Sequence, residues 1–150
     1  MIPKSGNRFS DQIKPSNEMR TDMQDEPTPV ELTKAVADFL REDIAPTLSG
    51  HNAFKLRVAV NMLDLVTRQL TLEEGSDAAE VARLRRLLGM EGSMIELNRA
   101  LADKIASGEM DLQTPGLAEH LWQTTMDKLA VDQPGYTAYK RELGRGTSGA

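Results

Sequence analysis

Apolar side chains return every three or four residues along most of this chain, and no strand of useful length is read from it. The pattern predicts an all-α protein, a compact bundle of about five helices. The first spans residues 28 to 45. Thr28 can accept from the free N–H groups of the first turn, Pro29 suits the first helical position, and Glu31 stands where a capping-box carboxylate reaches back. Leu32, Ala35, Val36, Phe39 and Leu40 share one face, with Lys34, Asp38, Arg41 and Glu42 opposite. Pro46 ends this helix, and Ser49-Gly50 turns the chain.

The second helix, residues 50 to 73, is the most informative. At about 100° per residue, Phe54, Leu56, Val58, Ala59, Val60, Met62, Leu63, Leu65, Val66, Leu70 and Leu72 spread over about two-thirds of its circumference. A helix apolar on so many sides is expected at the centre of the bundle, mostly buried. The remaining arc, about 60° wide, gathers Arg57, Asn61, Asp64 and Arg68 into a polar seam.

After Glu73-Glu74-Gly75, Ser76 can cap a short third helix over 77 to 89, buried through Val81, Leu84, Leu87 and Leu88 and closed by Gly89. Ser93 and Glu96 form a second capping box, opening a fourth helix to residue 107 with Met94, Leu97, Leu101 and Ile105 inward. Thr114 as cap and Pro115 at the first position open a fifth, to residue 131, with Leu117, Ala118, Leu121, Trp122, Thr125, Met126 and Leu129 inward. These helices make one domain over residues 23–136. Residues 1–22 are expected to be a flexible N-terminal arm and residues 137–150 a flexible tail, since neither has enough periodic apolar surface to offset its chain entropy. Met23 reads as a domain start, so the arm is either an extension or a misplaced start.

Composition narrows the function classes. Only 4% of the residues are aromatic, so the core is built from Leu, Val, Ile, Met and Ala, which suits helix-on-helix packing. The lack of cysteine excludes disulfides, thiolate metal sites and cysteine nucleophiles, and agrees with a reducing compartment. No run reaches the roughly 18 apolar residues of a membrane span, and the N-terminus lacks the apolar stretch of a secretion signal. A cytoplasmic, bacterial-type protein with no membrane partner is expected. A net charge of −5 argues against nucleic acid as a partner.

The candidate chemistry is sparse. Arg57, Asn61, Asp64 and Arg68 could form a groove for an anion or carboxylate, which the planar guanidinium fork suits. The plainer reading is an Asp64–Arg68 pair one turn apart on a solvated strip. His51 and His120 could each act as a base, but no Glu-x-x-His or His-x-x-x-His spacing accompanies them, so no metal is expected and a solvent-facing or loop-tethering role is the simpler one. No phosphate-cradling glycine loop is present, and no cofactor is expected. Arg83, Arg85 and Arg86, with Glu80 a turn earlier, read as a charge-balanced outer face. Asp127, Lys128 and Asp132, near the end of the fifth helix, could meet the seam and build a polar pocket between the second and fifth helices.

Three segments carry a family resemblance: Met23-Gln24-Asp25-Glu26-Pro27-Thr28, then Phe54-Lys55-Leu56-Arg57-Val58-Ala59-Val60-Asn61-Met62-Leu63, then Asp127-Lys128-Leu129-Ala130-Val131-Asp132-Gln133-Pro134 followed by Tyr136. In these the chain resembles an uncharacterised bacterial helical domain family often encoded beside, or fused to, aminoglycoside-phosphotransferase-like kinases and acyl-CoA dehydrogenases. The resemblance implies an accessory role and no established activity. The expected function is a non-catalytic accessory or interaction module whose partner is a phosphotransferase-like kinase or a second copy. The alternative is a domain binding an acyl-thioester or phosphorylated metabolite beside Arg57, Asn61 and Asp64.

Overall fold

A computed structural model describes residues 26–146. The expected arm at 1–22 and the last four residues of the expected tail lie outside the described residues. Thr28 caps α1 (Pro29–Phe39) as anticipated: its hydroxyl accepts from the Glu31 N–H at 3.2 Å, and the Glu31 carboxylate accepts from the Thr28 N–H at 2.8 Å. The Thr28 N–H and then its hydroxyl hold the Glu31 carboxyl below the usual carboxylate range. The helix does not reach residue 45 in one form. It widens into a π-helical turn, Leu40–Ile44, and tightens into a 3-10 turn, Ala45–Thr47. Pro46 sits in that last turn, where it has no N–H to give and its ring opposes a continuing α-helix.

α2 (Gly50–Leu88) is 39 residues long and fuses the second and third expected helices. Glycine inside a helix costs about 1 kcal/mol, which is why Glu74-Gly75-Ser76 reads as a break. Yet Gly75 lies within the helix without a positive φ. The reason is tertiary. α4 (Leu117–Asp132) lies antiparallel along α2, with Val131 at Arg68, Asp127 at Arg83, and Gly116 beside Leu87. It splints α2 across the weak point. Gly89, at φ 64°, then closes α2.

α3 (Met94–Ala106) starts on the predicted box of Ser93 and Glu96 and is tied to α2 by Asn98, whose amide donates to Glu80 Oε1 at 2.8 Å. The backbone N–H and hydroxyl of Ser93 hold the Glu96 carboxyl below its usual range. α5 (Thr137–Gly146) occupies much of what was expected to be a flexible tail. Pro134-Gly135 interrupt the chain after α4, and a new helix starts with the Lys140 N–H donating to the Tyr136 carbonyl at 3.0 Å. A Glu142–Arg145 pair at 2.7 Å one turn apart supports it. Local hydrogen bonding and charge pairing, rather than deep burial, account for this helix. Among the described residues there are thus five helices and no strand, but the membership differs from expectation: two helices merge and one is added.

α2 is the hub, packing against α1, α3 and α4. Leu84, Leu97, Leu101 and Leu117 interlock at its C-terminal half, with Val81, Leu87, Leu88 and Met110 around them. Its N-terminal half has a thinner core, in which Ala37 and Val60 are buried. The expectation of a mostly buried helix therefore holds on one side only. Phe54 is 55% exposed and Met62 63%, and Val58 and Val66 are also open. α1 is turned the same way: Ala37 is buried and Thr33 meets Thr67 of α2 at 3.0 Å, whereas Leu32, Val36 and Phe39 are exposed. One neighbouring helix covers only part of a circumference, and an apolar arc of about two-thirds needs more than one.

α4 is likewise rotated from expectation. Leu117 and His120 are buried, while Ala118, Leu121, Trp122 and Thr125 of the expected inner face are exposed. The face turned to α2 runs through Leu117, His120, Thr124, Asp127 and Val131, because Arg68 and Arg83 project from α2 and hold those positions.

Candidate functional site

The polar seam of α2 is divided among different partners. Arg57 and Asn61 are exposed and line a shallow groove of about 170 Å3 with Arg41, Ala45, Leu56 and Val60. Asp64 turns to the π-helical turn after α1, where Arg41 bonds both its oxygens at 2.8 and 2.9 Å and also reaches Asp38 of α1 at 2.7 Å. Arg68 points to α4, its Nε donating to the Val131 carbonyl at 2.7 Å. The plain reading of Asp64 and Arg68 as one pair is thus replaced by two contacts to other helices.

Asp127, Lys128 and Asp132 lie on α4 away from Arg57 and Asn61. Asp127 accepts from Arg83 at 3.1 Å and from Gln123 at 2.8 Å. With Lys128 and Asp132 it borders a cleft of about 220 Å3 whose α2 wall carries Glu73, Ser76, Asp77 and Glu80. Burial, then the charges of Glu73 and Glu80, push the Asp77 carboxyl up. The seven candidate residues therefore sit at three places, and Arg68 alone of the α2 seam bonds to the end of α4. No set of three or more His, Asp or Glu side chains among the described residues could hold a metal ion.

A larger cleft, of about 420 Å3, opens between the end of α2 and the start of α4, lined by Arg83, Arg86, Leu87, Pro115, Gly116, Glu119, His120 and Gln123. Two features of this cleft differ from the sequence expectation. Thr114 does not cap α4. Its hydroxyl accepts from the Asp111 N–H at 3.0 Å, closing a turn, and the helix starts beyond Gly116, whose φ of 86° suits glycine. No side chain caps the N-terminus of α4. Nor does His120 face solvent: it is 3% exposed, and its Nδ1 is buried without a hydrogen-bond partner. Burial, then the Arg83 charge, depress its pKa against a smaller opposing pull from Glu80. Arg83 Nε is also buried without a partner. His51 is exposed, as expected.

The signal for this cleft was present in the sequence as the spacing Leu117, His120, Thr124, Asp127, Val131, an apolar-polar stripe on one face of α4. It was outweighed by the more apolar stripe beside it.

Fold and clefts define an all-helical domain built on one long helix, with no span among the described residues long and apolar enough to cross a membrane. Residues 46–136 match the family described as a domain of unknown function, DUF6285, and the chain belongs to that family. No curated protein and no solved structure gives a significant match.

Proposed function

We propose that this protein is a non-catalytic interaction module whose α1–α2 hairpin docks, through its open apolar face, on the same hairpin of a second copy. One observation carries the reading: the exposed run Leu32, Val36 and Phe39 on α1 together with Phe54, Val58, Met62 and Val66 on α2. Spacings of three and four place the residues of each run along one side of its helix. Each run leaves an apolar strip open along its helix, and exposed apolar surface of this kind marks an interaction site. Two such hairpins make a four-helix bundle, which covers the arc that α1 leaves bare.

The family resemblance adds a partner class to this reading. A helical dimer of this kind would serve as an accessory to an aminoglycoside-phosphotransferase-like kinase in a bacterial cytoplasm. The competing reading, a pocket for an acyl-thioester or phosphorylated metabolite beside Arg57, Asn61 and Asp64, has less support, because that groove is shallow and Asp64 is already engaged by Arg41.

Sedimentation equilibrium tests the proposal. The expected result is twice the 16.5 kDa chain mass at micromolar concentration, falling to one chain in the double variant Phe39→Glu, Met62→Glu with its helical circular dichroism retained. A wild-type chain that stays monomeric, including one that instead binds a kinase-like protein through this face, overturns self-association.

A further inference from the structure

We propose that the cleft between the end of α2 and the start of α4 binds a small polar molecule through an oxyanion group, a phosphate or a carboxylate. This site is separate from the α1–α2 face and does not depend on it.

Three independent observations converge there. The first is the uncapped start of α4, a helix of 16 residues. The Leu117 N–H donates to the Thr114 carbonyl at 3.1 Å, and no side chain takes up the N–H groups of Ala118 and Glu119 that follow, since the Thr114 hydroxyl is committed to the turn at Asp111. Free N–H groups and the helix dipole favour an anion at that end. The second is positive charge: Arg86 lines the cleft with no ion pair among the described residues, beside Arg83, whose charge is already paired with Asp127. Arg83 is held in place by Asp127 at 3.1 Å and Thr124 at 3.4 Å, so its guanidinium is preorganised.

The third observation points to a missing ligand. His120 Nδ1 and Arg83 Nε are the buried side-chain nitrogens without a partner among the described residues, and both belong to residues lining this one cleft. Buried polar atoms are seldom left unpaired, because the loss of water is not repaid. In the tautomer that carries its one N–H on Nδ1, a His120 ring turned slightly toward the cleft would find its missing acceptor in a ligand oxygen seated there. The volume of about 420 Å3 exceeds that of a bare oxyanion and suits a small metabolite. Glu119 lines the same cleft and can accept from a hydroxyl or amino group of that molecule.

Nuclear magnetic resonance on the full chain tests the assignment, with inorganic phosphate in one titration and succinate in another at constant ionic strength. The expected result is a saturable shift of the Ala118 and Glu119 amide signals. In Arg86→Ala the midpoint should rise roughly tenfold, as loss of one charge-assisted contact implies. A response to phosphate alone assigns a phosphorylated ligand, and one to succinate alone a carboxylate ligand. A response to both assigns a general oxyanion site. If neither probe shifts those amides saturably, or if Arg86→Ala responds like the wild type, the assignment is overturned. Arg86 is exposed, so its replacement should leave the fold intact, which the unchanged amide spectrum elsewhere would verify.

Discussion

Arg68, midway along α2, reaches the far end of α4 and donates from Nε to the carbonyl of Val131 at 2.7 Å. The last carbonyls of a helix have no partner within it, so a cation placed there satisfies a hydrogen bond and opposes the dipole at once. The contact also anchors one end of the splint that α4 forms along α2. Arg68→Met should destabilise the fold by about 1.5–3 kcal/mol, the range for a hydrogen bond from a charged group, and Arg68→Lys by less. Urea denaturation of the two variants measures this; equal stability of Arg68→Met and wild type would remove the anchoring role.

Gly75 offers a test of whether α2 is one rod. Open space surrounds the position where its Cβ would stand, and its φ is not positive. Gly75→Ala should therefore stabilise the protein by about 0.5–1 kcal/mol. A decrease in melting temperature would mean that the chain breaks here as the bare sequence suggests.

The stability of the protein should fall on mild acidification, in part through His120. Its folded pKa lies below the ordinary 6.5 because burial and Arg83 disfavour the cation. Above that ordinary value both folded and unfolded chains carry a neutral imidazole, and the group costs nothing. As pH falls below it, the unfolded chain takes up a proton that the folded chain resists, so stability is lost until the folded pKa is passed. The melting temperature of wild type minus that of His120→Gln should fall as the pH drops from about 7.5 to about 5. Parallel curves would exclude the effect.

Leu84 is fully buried at the junction of α2 and α3 with the start of α4. Leu84→Ala should cost about 2–5 kcal/mol, whereas Ile95→Ala, at a position 74% exposed on α3, should change stability little. Thermal melts of both would locate the core. A similar loss at Ile95 would show that α3 buries that side in solution.

At the start of α3, Ser93→Ala removes the hydroxyl that accepts from the Glu96 N–H. The expected loss is about 1 kcal/mol, with fraying confined to that end of the helix. Hydrogen exchange of the first-turn amides reads it directly.

The sequence by itself determined the helical class and several helix boundaries. The box of Thr28 with Glu31, the box of Ser93 with Glu96, and the closing glycine at Gly89 are contacts made within one or two turns, so they are legible in order along the chain. Tertiary structure decided everything that depends on a neighbour. Gly75 is helical within a rod that α4 braces on either side of it, at Arg68 and Arg83. The arcs of α1 and α2 that are covered depend on how many helices lie beside them, which periodicity does not encode. Arg68 leaves Asp64 for Val131, and Arg83 and His120 come together from positions 37 residues apart in sequence, because two antiparallel helices bring distant turns into contact.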